Sequence, residues 1–133
     1  MIARGRWGGR ARTVVLLAAL PALTLPAARA EMVDIAWNAA GRFEHRFVVA
    51  PGKFAEACGA LARGQAVRWS FESPAPLNFN IHYHVGEKVE YPVRRDAVAR
   101  AEGTLEAASD EDYCWMWSNK GSAPLNLQVR LSR

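Results

Sequence analysis

The chain has 133 residues, with 17 Lys and Arg against 13 Asp and Glu, half of its residues apolar, and two cysteines. This length fits one domain. The basic balance is misleading, because Arg4, Arg6, Arg10, Arg12 and Arg29 all lie in the first 30 residues.

Those arginines frame an export signal. Arg4 to Arg12 form a positive segment, Val14 to Leu25 is an apolar run broken by Pro21 and Thr24, and Ala28-Arg29-Ala30 is a small-residue cleavage site. The pattern predicts a secretory signal peptide over residues 1–30. Its apolar run is shorter than the roughly 20 residues of a membrane span, so no span is expected in the mature chain. No Arg-Arg pair precedes the run, which favours the general secretory route, and no cysteine stands at the cut, which argues against a lipid anchor. Removing five arginines from 17 Lys and Arg leaves 12 cations against 13 acids in residues 31–133, a net charge of −1. Nucleic acid is therefore not an expected partner. The Ala- and Arg-rich composition and the short signal point to a bacterial periplasm, or secretion beyond it.

The single domain expected over residues 31–133 reads as strands. Val33, Ile35 and Trp37 alternate with polar or small residues, and Asn38 to Gly41 is a turn. Phe43, His45, Phe47 and Val49 alternate up to Pro51-Gly52. Phe54 to Leu61, around Cys58, fits a helical turn or an irregular strand. Val67, Trp69 and Phe71 have the period of two that marks a half-buried strand. Ser73-Pro-Ala-Pro76 reads as a loop. After it, Leu77, Phe79, Ile81, Tyr83 and Val85 share one face, and Asn78, Asn80, His82 and His84 the other. Gly86 to Lys88 turns the chain. Val89 to Val93 is a strand that Pro92 places at a sheet edge. Arg94 to Gly103 is polar and reads as a loop with a helical turn, Thr104 to Ala108 as a short strand, and Asp110 to Asp112 as a solvated acidic turn. Tyr113 to Ser118 and Leu125 to Leu131 close the chain as two further strands. Seven or eight short strands with regular turns make an all-β fold, a small antiparallel β-sandwich. Cys58 and Cys114 in an exported chain are expected to form one disulfide.

The order of these segments resembles the GOLD (Golgi dynamics) domain over about residues 45–132. The resemblance rests on Cys58 before a Gly turn, Val67-Arg-Trp-Ser-Phe71, Leu77-Asn-Phe-Asn-Ile-His-Tyr-His84, Tyr113-Cys-Trp-Met-Trp-Ser-Asn119 and the final alternating strand. GOLD domains are compact β-sandwiches of early-secretory-pathway cargo receptors and lipid-transfer proteins. In the receptors an early cysteine pairs with one in an aromatic strand ending in Ser-Asn, and Cys58 and Cys114 match in order. Here the cysteine follows the tyrosine directly, whereas in the receptors it comes further along the strand. The coiled coil, membrane helix and cytoplasmic tail of such receptors have no counterpart, so the resemblance implies a sandwich used for binding and no trafficking role.

Candidate chemistry is sparse. His82 and His84, two apart on a strand, project from one face and are about 7 Å apart, close enough to converge on a metal ion. Imidazole suits copper and zinc, and Met116, sharing an outward face with Cys114 and Ser118, supplies a soft third donor if its strand lies beside the histidines. The plainer reading is a solvated strand face. Asn78 and Asn80 extend the same polar face, and Trp117, if exposed, is a stacking surface for a sugar or apolar ligand. No nucleophile-elbow, zinc-protease or phosphate-loop motif occurs. The expectation is an exported, non-enzymatic module that binds a protein, peptide or envelope component, with copper or zinc handling at His82, His84 and Met116 as the alternative.

Overall fold

The computed structural model describes residues 29–133. The expected signal peptide falls almost entirely on residues 1–28, outside the described residues. The rest is all-β, with seven strands: β1 (Glu31–Asp34), β2 (Arg42–Val49), β3 (Phe54–Leu61), β4 (Ala66–Val85), β5 (Lys88–Glu106), β6 (Glu111–Ser118) and β7 (Leu125–Ser132).

The architecture turns on one long hairpin. β4 and β5 pair antiparallel from Ala66↔Glu106 to Val85↔Lys88. On its other side β4 changes neighbour along its length. Arg68 to Glu72 pair with β7, and Asn78 to Tyr83 pair with β6. The hairpin therefore belongs to two sheets. In one (sheet A) the order is β1-β3-β6-β4-β5; in the other (sheet B) it is β2-β7-β4-β5. Their inner faces close on a common core, as in a β-sandwich.

Three expectations are corrected here. Ser73 to Pro76 is part of β4 and no loop; its prolines lie where β4 leaves β7 and has not yet met β6, so ladder hydrogen bonds lost there are few. Arg94 to Gly103 is strand, because β5 continues along β4; its polarity reflects an edge position, with Ala97 at φ 52° beside a register shift. Phe54 to Leu61 is a regular strand. One pairing also departs from the antiparallel pattern, since β1 runs parallel to β3.

The core is aromatic. Trp115, Trp117, Tyr113, Phe47, Phe71 and Phe79 are its largest fully buried side chains. Phe79 stacks on Trp117 at 5.6 Å between centroids, and Phe71 meets the same indole edge-on at 5.8 Å. Offset and edge-to-face contacts of this kind add about 0.5–1.5 kcal/mol each beyond area burial. Trp69 lies over Gly103, its partner across the β4–β5 ladder, with no room for a side chain between them. Tyr113 reaches the end of the sandwich, where its hydroxyl accepts from the Ala108 and Ser109 amides at 2.9 and 3.2 Å. Cys58 and Cys114 are direct partners in the β3–β6 ladder and are joined by the disulfide.

Candidate functional site

The period-2 alternation places Asn78, Asn80, His82 and His84 on the outer face of sheet A. The registers extend that face across five strands. Met32, Glu56, Met116, Asn80 and Arg94 form one row; Asp34, Cys58, Cys114 and His82 form the next.

At its centre are two buried polar residues. Glu56 and His82 are 7 % and 8 % exposed, on a face where solvation is the default. Glu56 Oε1 reaches His82 Nε2 at 3.2 Å, across the strand that lies between them. On its other side the ring meets Asn80: Nδ1 lies 2.8 Å from Asn80 Oδ1. The ring is thus held from both sides, a carboxylate oxygen at one nitrogen and an amide oxygen at the other. His84 packs against His82 with ring centroids 5.6 Å apart, and Tyr91 of β5 does so at 5.8 Å. The Arg94 guanidinium sits 3.7 Å above the Tyr91 ring, a cation–π contact. His84, Tyr91 and Arg94 are exposed. The site thus has a fixed, buried polar centre and an accessible aromatic and cationic rim. At the hairpin end, Lys88 donates to Glu90, and that hydrogen bond, with the carboxylate's attraction, raises the Lys88 pKa.

Each residue singled out in the sequence now has a position. His82 and His84 are neighbours, and Met116 lies on the adjacent strand, opposite Asn80. His82 is no solvated residue, since Glu56 and Asn80 take both its nitrogens. Asn78 does structural work: its Oδ1 accepts from the Ala97 amide at 3.0 Å and fixes the irregular point of β5. Trp117 is 1 % exposed and belongs to the core, so its ring is no stacking surface. His45, half-buried, pairs with Glu31 at 3.2 Å. Among the described residues, Glu56, Cys58 and Cys114 bring donor atoms within 4.8 Å of one another, yet the two sulfurs are bonded together and offer no thiolate.

Glu56 is the member that sequence reasoning missed. The pattern around it, Phe-Ala-Glu-Ala-Cys-Gly-Ala-Leu, mixes small residues on both faces. Its one legible signal was the spacing from Cys58, which puts Glu56 on the outward face as soon as the segment is taken as a strand.

No family model and no curated sequence matches the chain. Solved structures do. The chain is similar to PliG of Aeromonas hydrophila, a periplasmic lysozyme inhibitor of g-type lysozyme, with 12 % identity and a TM-score of 0.58 over 78 % of this chain and 96 % of that one. It is similar to the Yersinia pseudotuberculosis-derived mitogen, with 14 % identity and a TM-score of 0.55 over 68 % and 84 % of the two chains. A third similarity is to the pre-peptidase C-terminal domain of a Bacillus anthracis collagenase, at 10 % identity and TM-score 0.51, covering 82 % and 98 %. At such identities the likeness is one of fold. None of the three is described as a GOLD domain.

Proposed function

We propose that this chain is an exported, non-enzymatic β-sandwich that binds a protein partner through the outer face of sheet A. One observation carries the reading. Buried Glu56 and His82, with half-buried Asn80, form a polar set beside an exposed rim of His84, Tyr91 and Arg94. Tyrosine and arginine are the residue types enriched where interfaces concentrate their energy. The rim lies on an open sheet face, a shape suited to a macromolecular surface more than to a small molecule. Support for a protein partner also comes from the fold, which PliG, described as a lysozyme inhibitor, shares. Support for export comes from the disulfide and from the leader-like first 30 residues. The GOLD resemblance points in the same direction, toward a sandwich used for binding.

The test is site-specific photo-crosslinking in the producing cell. A crosslinker at Tyr91 should yield one discrete protein adduct, and the same group at Val48, exposed on β2 in sheet B, should yield none. Equal labelling from both positions, or none from Tyr91, refutes the reading.

A second reading keeps copper or zinc at His82, His84 and Met116. It is favoured by the 5.6 Å spacing of the two rings and by the β4–β6 pairing that brings Met116 alongside. Metal would have to displace Glu56 or Asn80 from His82. Calorimetric titration with Cu(II) and Zn(II) should then give about one ion per chain, with binding lost in His82→Ala/His84→Ala. Binding that survives the double substitution removes this reading.

A further inference from the structure

The arginines are unevenly placed. Residues 31–133 contain nine arginines, and Arg42, Arg46, Arg68, Arg100 and Arg130 all project from the outer face of sheet B, with Arg133 at its edge. No lysine shares that face.

The registers sort them into rows. In one row Glu44, Arg130, Ser70 and Glu102 lie side by side, and Arg130 Nε is 3.9 Å from Glu44. In the next, Arg46, Gln128, Glu72 and Arg100 are neighbours, and Arg46 Nε donates to Gln128 at 2.6 Å. Each of these rows holds an acid. The end row does not: it reads Arg42, Ser132, Arg68, Thr104 and has no acid. Among the described residues neither Arg42 nor Arg68 is within 4.0 Å of a carboxylate. Arg133 completes the group, its guanidinium held 4.8 Å over the Trp37 ring. Together with Ser132 and Thr104 the three arginines line a hollow of about 480 Å³ whose remaining walls are Ala40 and Ala66.

Two strands apart, Arg42 and Arg68 stand roughly 10 Å from each other at Cα, which lets both side chains reach one group between them. Like charges so placed oppose folding mildly, and the domain has acids to spare, at a net −1. Guanidinium forks and hydroxyls are the donors that hold tetrahedral oxyanions, and arginine does this better than lysine because its fork is bidentate. We propose that this hollow binds a phosphoryl group, with Arg42, Arg68 and Arg133 as the cationic contacts and Ser132 and Thr104 as hydroxyl donors. The site is separate from the sheet A face and does not depend on what binds there.

The test uses the mature chain, residues 31–133, at low and at physiological salt. Two probes distinguish the source of the phosphoryl group: inorganic pyrophosphate by calorimetry, and phosphatidylcholine vesicles with and without phosphatidic acid by co-sedimentation. Binding of either probe should weaken at least tenfold in Arg42→Gln/Arg68→Gln and partially in Arg42→Lys/Arg68→Lys, which keeps the charge and loses the fork. Lys53→Gln/Arg63→Gln, which removes the same charge elsewhere on the surface, should leave binding unchanged. Pyrophosphate binding alone assigns a soluble phosphate ester; vesicle binding assigns a lipid headgroup. Binding of neither probe at low salt, or equal losses in the two Gln pairs, overturns the proposal. All four positions are exposed strand or turn residues, and circular dichroism should show the fold intact in every variant.

Discussion

Gly103 shows how one residue sets local packing. A Cβ at this position would lie 2.7 Å from Trp69 Cζ2, and a core indole has nowhere to move. Gly103→Ala should lower unfolding stability by about 1–3 kcal/mol, the range of overpacking, measured by urea denaturation. The Glu56–His82 pair makes a sharper prediction. Removing one partner takes a buried hydrogen bond from the other, which costs about 1–3 kcal/mol, whereas replacing both with apolar groups is close to neutral. Glu56→Met and His82→Leu should each destabilise, and the double variant should be more stable than either single one; strictly additive losses would show that the two groups do not interact. At this scale the sequence was partly legible. Alternation placed His82 and His84 together on the outward face and Trp115 inside, because a strand's period is two. It could not show that Glu56 reaches His82 from two strands away, since that contact depends on the order of strands, and the order is decided by the whole sheet.

Strand by strand, the surprises were β4 and β5. Two prolines within four residues read as a break, yet β4 continues through Ser73 to Pro76, because that stretch is where the strand leaves one sheet for the other. The bend is held from β5. Ala97 adopts φ 52°, in the left-handed region, and donates its amide to Asn78. Non-glycine residues are strained there by roughly 1–2 kcal/mol, so Ala97→Gly should be neutral or stabilising, unlike most Ala-to-Gly changes in strands, and a clear loss of melting temperature would contradict the geometry. Asn119 closes the last hairpin. It is 1 % exposed, and its amide donates to the Val49 and Ala123 carbonyls at 2.9 and 2.7 Å. Asn119→Ala should cost about 1–3 kcal/mol, from buried carbonyls left without a donor. The disulfide staples β3 to β6 across a sequence separation of 56 residues. Cys114→Ser should lower stability by about 2–5 kcal/mol; a variant as stable as the parent would make the bond dispensable.

For the molecule as a whole, strand count, core and disulfide were legible because each follows from local pattern or residue type. The two-sheet hairpin was not, since its evidence is long-range pairing. The outcome is a sandwich with two chemically different outer faces. Sheet A presents a buried Glu–His pair with a half-buried Asn beneath an aromatic and cationic rim, and sheet B presents arginine rows ending in a hollow lined by no acidic side chain. Before either face can act, the leader is expected to be removed. Intact mass of exported material should begin at Glu31, and material that retains residues 1–30 would contradict the signal-peptide reading. The protein-binding role of sheet A is tested most directly by amide hydrogen exchange on the mature chain, alone and bound to the protein captured through Tyr91. The account predicts added protection in β4 from Leu77 to Val85, in the first half of β5 and in β6, with β2 and β7 unchanged. Protection confined to β2 and β7 would place the partner on the opposite face and contradict it.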